Sequence, residues 1–182
     1  MRASRGRSAR GLGPAPAPSR VPAVLAVAAT GPGRVRWLNG YPLRMPKPPL
    51  PPEIEEFLAR PNPSVIATLA LDGSPHSAAT WYLWEHGQAL VNMDSSRKRL
   101  EHLRRDPRVS LTVLDKDEWY RQVTLRGRAT LRPDHDLKDI DRIARYYTGD
   151  RYPDRERESV SAWIEVESWY GWHGGGFWTG KP

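Results

Sequence analysis

Two apolar runs joined by a turn dipeptide set the class of fold that this chain can adopt. The run V-I-A-T-L-A-L at Val65–Leu71 is rich in aliphatic and β-branched residues and predicts a β-strand. The dipeptide Asp72-Gly73 follows at once and is typical of a tight hairpin turn. Ser77–Trp84 then provides the returning strand. The chain is therefore expected to fold around antiparallel strands joined by hairpins.

The rest of the chain from Glu53 onward adds more strands and a few helices. Four further strands are predicted at Gln88–Met93, Val109–Leu114, Tyr120–Leu131 (with a glycine bend at Gly127) and Trp163–Trp169. Helices are predicted at Glu53–Arg60, Ser95–Pro107 and Asp134–Tyr147. Six antiparallel strands with few helices indicate a mostly β fold, a small β-barrel with flanking helices.

The residues before Glu53 differ in composition from the rest. They hold eleven of the 18 prolines and nine of the 28 Lys and Arg residues, with no acidic residue. Such a segment buries too little apolar surface to offset the entropy of ordering. We therefore expect residues 1–51 to be a disordered tail, with Met45 as the true start of translation; a secretory signal around Val21–Ala29 is the alternative. Residues 173–182 are expected to be a flexible C-terminal tail.

The net charge of +7 belongs to the N-terminal tail. Without its nine basic residues, 19 Lys and Arg stand against 21 Asp and Glu, a net charge of −2. The predicted domain at residues 52–172 is thus close to neutral and lacks the basic face of a nucleic-acid binder. The apolar run in the tail is too short to span a bilayer. We expect no nucleic-acid or membrane partner.

The predicted helix at Ser95–Pro107 is the segment that says most about function. Its first turn holds three consecutive basic residues, Arg97, Lys98 and Arg99, after a serine cap. The positive end of the helix dipole disfavours cations at this place unless an anion binds among them. Free backbone N–H groups, a hydroxyl and guanidinium groups together suit a phosphate. A solvated basic face is the alternative.

The remaining composition excludes several kinds of chemistry. The chain has no cysteine, which excludes disulfides, zinc ribbons and thiol nucleophiles, and is compatible with the cytoplasmic location that we expect. Its five histidines are scattered without metal-ligand spacing, so no metal site is expected.

Three segments carry a resemblance to a known family. They are V-I-A-T-L-A-L-D-G-S-P-H-S at Val65–Ser77, S-R-K-R-L-E-H-L-R-R-D-P-R-V-S at Ser96–Ser110, and W-Y-G-W at Trp169–Trp172. In order and spacing they resemble the pyridoxamine-phosphate-oxidase-like flavoproteins, and more narrowly the branch that uses the deazaflavin coenzyme F420. The resemblance implies a six-stranded antiparallel split barrel of the FMN-binding type. It also implies a homodimer with the cofactor in a groove at the interface.

The resemblance assigns roles to particular residues. The basic cluster would grip the cofactor phosphate through Arg97, Lys98 and Arg99, with Ser96 as a hydroxyl donor. The strand after the hairpin turn would run along the flavin ring with His76, Ser77, Ala78, Ala79 and Thr80. Gln122 matches a glutamine that contacts the ring. No residue stands out as a catalytic acid or base. On the same strand, alternation predicts that Trp81 and Tyr82 face opposite sides.

The cofactor determines the expected reaction. A deazaflavin transfers hydride and reacts poorly with oxygen, so the resemblance implies hydride transfer from reduced F420 to an electron-poor conjugated small molecule, such as an enone, a quinone or a bilin-like compound. An FMN-dependent split-barrel oxidase or reductase is one alternative. A non-enzymatic flavin or tetrapyrrole binder on the same scaffold is another, since fold alone does not establish chemistry.

Overall fold

The computed structural model describes residues 37–38, 41–42 and 45–178. In chain order its elements are β1 (Trp37–Leu38), β2 (Tyr41–Pro42), α1 (Pro52–Leu58), β3 (Ser64–Leu69), β4 (Pro75–Thr80), β5 (Leu83–Glu85), β6 (Gln88–Asp94), α2 (Lys98–Arg105), β7 (Arg108–Leu114), β8 (Gln122–Pro133), α3 (Lys138–Thr148), β9 (Ser159–His173) and β10 (Gly176–Trp178). The mostly β class that the sequence predicts is confirmed. In the described part of the chain, no helix is both long and apolar enough to cross a bilayer.

One antiparallel sheet of eight strands makes up the body of the molecule. Its order is β4-β3-β7-β8-β9-β6-β5, and β10 pairs with the far end of β9. The two outermost strands, β4 and β5, are separated in sequence by Trp81 and Tyr82 alone. Three residue steps reach at most about 11 Å, so the two edges of the sheet must lie close together. The sheet therefore curls into a barrel that stays split between β4 and β5.

The core lies inside the curled sheet. Ile66 on β3 pairs with Leu111 on β7, which pairs with Leu125 on β8, and all three side chains are buried. Helix α1 covers part of this core with Ile54 and Phe57, both fully buried. Burial of each such side chain contributes roughly 1.5–3 kcal/mol. The alternation of buried and half-exposed residues along β3 and β7 follows from the two-residue period of a strand.

The predicted number of six strands is wrong in two places. The segment Ser77–Trp84, expected as one strand, is interrupted at Trp81-Tyr82, because Tyr82 turns fully into the core. There its hydroxyl donates to the carbonyl oxygens of Leu58 at 2.8 Å and Arg60 at 3.1 Å. The C-terminal strand β10 was also not expected. The opposite orientations predicted for Trp81 and Tyr82 are confirmed, since Trp81 is 38% exposed.

Both predicted tails are shorter than the sequence suggested. The prediction of a flexible tail from residue 173 is wrong as far as Trp178, because Gly174 and Gly175 form a tight turn with positive φ and return the chain as β10. At the other end, Leu50 is buried, and the Pro46 carbonyl accepts a hydrogen bond from the Trp169 N–H at 3.0 Å. Strands β1 and β2 also fall within the segment predicted to be disordered. Residues 1–36 and 179–182 lie outside the described residues.

Helix α3 begins later than its apolar pattern predicts. Residues from Asp134 form a turn, and the helix starts at Lys138 after Leu137, whose φ of 56° is left-handed. The Asp134 carboxylate accepts the N–H groups of Asp139 and Ile140 at 3.2 and 3.1 Å, so it caps the helix from outside. The helix ends at Gly149, whose φ is 84°.

Candidate functional site

A cleft of about 530 Å³ lies where β4 and β6 approach helices α2 and α3. Its lining comprises Pro61, Pro63, Ser64, Ala79, Thr80, Trp81, Asn92, Met93, Asp94, Arg97, Arg99, Ile140, Ile143, Tyr147, Tyr152 and Arg157. The volume falls within the roughly 300–1,000 Å³ that is usual for small-molecule sites. The lining divides chemically into three arginines and a set of aromatic and aliphatic side chains.

The N-terminal end of α2 supplies two of these arginines. Arg97 is the N-cap residue, and its Nε donates to the Asp94 carboxylate at 2.8 Å. Arg99 lies half-buried, with Nη1 donating to the Ala79 carbonyl at 3.4 Å and Nη2 to the Asn92 carbonyl at 3.5 Å. The Nε of Arg99 is buried and has no partner among the described residues. One N–H of the Arg99 guanidinium group is therefore unpaired, and the residue as a whole is half-buried and borders the cleft.

The serine cap predicted for α2 is wrong. The helix has no side-chain cap, and the Ser96 hydroxyl instead donates to the Asp94 carboxylate. Burial alone would raise the pKa of Asp94, but the hydrogen bonds from Ser96 and Arg97 hold it below its usual range. Asp94 therefore stays ionised and offsets the charge of Arg97. Ser96 itself is exposed and is not part of the cleft lining.

Lys98 differs from its two neighbours in position. Its side chain is 74% exposed and pairs with Glu101 at 3.6 Å along the helix. It does not line the cleft. The structure thus brings Arg97 and Arg99 together in the cleft and leaves Lys98 on the outer surface of α2.

The third arginine of the cleft, Arg157, was not singled out in the sequence. It lies on the segment between α3 and β9, its guanidinium carbon 4.6 Å from the centre of the Tyr152 ring. Its Nη2 donates to the Asn92 side-chain oxygen at 3.2 Å. The surrounding sequence R-E-R-E-S has the composition of a solvated loop, so nothing local distinguishes Arg157 from Arg151 or Arg155.

Part of the cleft lining is aromatic. Trp81 stacks on Tyr147 with ring centres 5.3 Å apart and planes inclined by 11°. The Tyr147 hydroxyl donates to the Asn62 carbonyl at 2.8 Å and accepts the Tyr82 N–H at 3.4 Å. Burial raises the pKa of Tyr147, so its hydroxyl stays protonated at neutral pH. The stack is thereby fixed to the backbone and provides a flat apolar wall.

Only part of the predicted β4 segment borders the cleft. Ala79 and Thr80 line it, whereas His76, Ser77 and Ala78 do not. The imidazole ring of His76 lies edge-on to that of His102, with centres 5.3 Å apart. The β4 side chains alternate between half-buried and exposed along the strand.

Gln122 is also separated from the cleft. It is the first residue of β8, paired with Leu114 and Trp172. Cross-strand pairing nevertheless places Ser77 and Ala79, two other residues predicted to contact the cofactor, on the same side of the sheet as Gln122. The row Ala79–Val65–Thr112–Thr124 is one such set of neighbours, and Ser77–Ala67–Ser110–Arg126 is the next. We call this surface the outer face, because the intervening residues Ile66, Leu111 and Leu125 point into the core.

The donor set of the cleft fits a phosphate-bearing ring compound. Guanidinium groups bind phosphate oxygens through paired N–H donors, and the aromatic wall suits a flat conjugated ring. The described residues contain no group of three or more His, Asp or Glu side chains placed to hold a metal ion. The geometry therefore indicates a site for an anionic organic molecule.

The sequence and the fold are similar to those of known proteins. The family model for pyridoxamine 5'-phosphate oxidase matches residues 50–173. A solved F420 reductase is 24% identical, with a TM-score of 0.58 over 63% of this chain and 94% of its own. The hypothetical protein Rv2991 of Mycobacterium tuberculosis is 25% identical, with a TM-score of 0.57 over 69% of this chain and 86% of its own.

A third solved structure extends the comparison. It is a Clostridium acetobutylicum protein related to general stress protein 26, of the pyridoxinephosphate oxidase family. It is 17% identical, with a TM-score of 0.53 over 69% of this chain and 89% of its own. No functionally curated protein matches the sequence. The split-barrel superfamily implied by the three sequence segments is confirmed.

Proposed function

Because the chain belongs to the pyridoxamine 5'-phosphate oxidase family, we propose that it is an oxidoreductase that uses coenzyme F420. The substrate class is an electron-poor conjugated small molecule, such as an enone, a quinone or a bilin-like compound. The observation that carries the proposal is the presence of guanidinium groups and aromatic rings in one cleft, which is lined by Arg97, Arg99 and Trp81 among others. Such a cleft suits a cofactor that has a phosphate at one end and a flat ring at the other.

The choice of F420 over FMN rests on the resemblance of the three sequence segments. The split-barrel fold is shared with an F420 reductase. The phosphate end of the cleft also suits FMN, which is the second candidate cofactor. When bound and reduced, a deazaflavin supplies the hydride, and the protein contributes binding, orientation and exclusion of water.

The described side chains have distinct parts in that contribution. Arg99 would bind the phosphate through the N–H groups of its guanidinium, with Arg97 beside it at the start of α2. Trp81, supported by Tyr147, would orient a flat ring and shield it from solvent. The cleft carboxylate Asp94 is engaged by Arg97, and the Tyr147 hydroxyl donates to the Asn62 carbonyl. The reaction that we propose therefore uses positioning rather than a protein nucleophile.

We also propose that the protein acts as a homodimer. The outer face supports this, because it carries small and uncharged side chains such as Val65, Ala67 and Thr112, with Arg126 beside them. A second copy packed there would place Ser77, Ala79 and Gln122 at the interface. Sedimentation equilibrium of the full chain tests the idea, and a monomer at micromolar concentration would exclude it.

Cofactor binding and turnover test the proposed function. The purified protein is titrated separately with F420 and FMN while the fluorescence of each cofactor is followed. We expect F420 to bind at micromolar concentration or better and more tightly than FMN. Reduced F420 is then mixed with a panel of enones, quinones and bilins, and its reoxidation is recorded at the absorbance of the oxidised form. Preference for FMN would overturn the cofactor, and lack of reoxidation across the panel would favour a carrier.

A further inference from the structure

Arg157 lines the cleft from the segment between α3 and β9. Its guanidinium group lies over the Tyr152 ring, and its Nη2 donates to Asn92. The buried Nε of Arg157 has no partner among the described residues, as is also the case for Arg99. Two separate segments of the chain therefore each bring to the same cleft an arginine whose hydrogen-bonding capacity the described residues do not fill.

The side chain of Asn92 holds Arg157 in place. The amide nitrogen of Asn92 donates to the Asp134 carboxylate at 3.2 Å and to the Ser161 hydroxyl at 3.3 Å. The Ser159 hydroxyl donates to the amide oxygen at 3.0 Å. These partners fix which end of the amide faces the arginine, because only the oxygen can accept from a guanidinium. Asn92 is buried on β6, so the arginine is attached to the rigid sheet.

The charges of the cleft do not balance among the residues that the structure describes. Asp94 is the only carboxylate among the lining residues, and it is engaged by Arg97. Arg99 bonds only to carbonyl oxygens, and Arg157 to an amide and to an aromatic face. Burial and the neighbouring cations Arg97 and Arg157 lower the pKa of Arg99, while Asp94 partly offsets them. Partly buried cations of this kind are costly unless an anion joins them.

The geometry points to Arg157 as a binding residue for the phosphate group of the ligand, together with Arg99, with Asn92 as its positioning residue. This inference rests on the proposed function, because it takes the anion to be the cofactor phosphate. The phosphate is then held between the start of α2 and the segment that precedes β9. The two segments are about sixty residues apart in sequence, and Asn92 contacts both arginines, through its backbone carbonyl and its side-chain oxygen.

The experiment compares ligands that differ only by the phosphate-bearing tail. Wild type, Arg157→Gln and Asn92→Ala are titrated with FMN and with riboflavin, and with F420 and its phosphate-free deazaflavin nucleoside. Loss of one charged hydrogen-bonding partner is expected to weaken FMN or F420 binding by roughly 10- to 100-fold. Binding of the phosphate-free compounds should change by less than about threefold. Arg157→Lys keeps the charge but loses the paired N–H donors of the guanidinium group, so its affinity for FMN or F420 should lie between those of wild type and Arg157→Gln.

Arg151→Gln is the matched control. Arg151 is exposed on the same segment and has no hydrogen bond or ion pair among the described residues. The same charge is removed there, so a general electrostatic effect would appear in both variants. An affinity loss that is equal in Arg157→Gln and Arg151→Gln, or equal for the ligands with and without phosphate, overturns the inference. A merely structural role of Asn92 would weaken both kinds of ligand alike.

Inorganic phosphate separates this inference from the proposed function. Its binding is measured by the shift in melting temperature of wild type and Arg157→Gln. Stabilisation by phosphate in wild type alone supports the anion site even if neither cofactor binds, in which case only the proposed function fails. Tight F420 binding that is unchanged in Arg157→Gln leaves the proposed function intact and removes Arg157 from it. Absence of phosphate, FMN and F420 binding in wild type overturns both.

Discussion

Replacement of Gly127 by alanine tests the closest backbone contact in the barrel. At this residue the pairing of β8 with β9 shifts by one, since Arg126 pairs with Ser168 and Gly127 with Val166. Glu167 is the extra residue of the resulting β-bulge. A Cβ atom on Gly127 would lie 1.8 Å from the Glu165 carbonyl oxygen and 2.8 Å from its carbon. Both are backbone atoms, so no side-chain rotation relieves the clash.

The size of the effect follows from this distance. Ordinary van der Waals contact begins at 3.4 Å, so the two strands must separate locally by about 1.6 Å. A displacement of that size overpacks the barrel, at a cost of about 1–3 kcal/mol, and weakens one or two ladder hydrogen bonds of about 1 kcal/mol each. We expect Gly127→Ala to lower the free energy of unfolding by about 3 kcal/mol. For a domain of this size the melting temperature should fall by about 10 °C.

Thermal and urea unfolding, followed by tryptophan fluorescence and circular dichroism, measure the change. Gly176→Ala is the control, because a Cβ there meets nothing within 4 Å and the residue has no positive φ. It should alter stability by no more than about 0.5 kcal/mol. If Gly127→Ala melts within two degrees of wild type, as the control does, the close approach of β8 and β9 is refuted.

Three further changes test other parts of the structure. Tyr82→Phe should lower the free energy of unfolding by about 1–2 kcal/mol at pH 7. Because burial raises the pKa of Tyr82, the stability of wild type in urea titrations should decline above about pH 10, and that of the variant should decline less steeply. Trp178→Ala should lower the free energy of unfolding by about 3–5 kcal/mol, since Trp178 packs edge-on to Phe57 with ring centres 5.2 Å apart. Trp119 is 73% exposed, so Trp119→Ala should have little effect, and equal melting temperatures of the two variants would mean that β10 is not packed on the core. Lys98→Gln should weaken cofactor binding in fluorescence titrations less than Arg99→Gln, and the reverse order would contradict the position of Lys98 outside the cleft.

The sequence predicts well those features that local interactions determine. The turn at Asp72-Gly73 is confirmed, with the glycine at a φ of 81°, because few other residues adopt that conformation. Helix α1 and the strand at β7 lie within two residues of their predicted bounds, since their apolar patterns and prolines act on the immediate neighbours. The basic first turn of α2 identified one side of the cleft for the same reason.

Features that depend on distant partners could not be predicted. The break in the strand at Trp81-Tyr82 exists because the Tyr82 hydroxyl donates to carbonyl oxygens at the end of α1 and just after it. Strand β10 is stable because Trp178 reaches Phe57 and Arg121, which are far away in sequence. Arg157 belongs to the cleft only because the sheet brings Asn92 to it. In each case the residue type is ordinary, and its place in the fold gives it a role.

The binding of cofactor by Arg99 is the central claim about this cleft. Fluorescence titration of F420 and FMN against wild type, Arg99→Gln and Arg104→Gln tests it directly. Arg104 lies on the same helix, is exposed and does not line the cleft, so its variant removes the same charge without a predicted contact. We expect Arg99→Gln to weaken binding of the preferred cofactor by roughly 10- to 100-fold and Arg104→Gln by less than about threefold. Equal affinities of the Arg99→Gln variant and wild type would contradict the assignment of the cleft as the cofactor site.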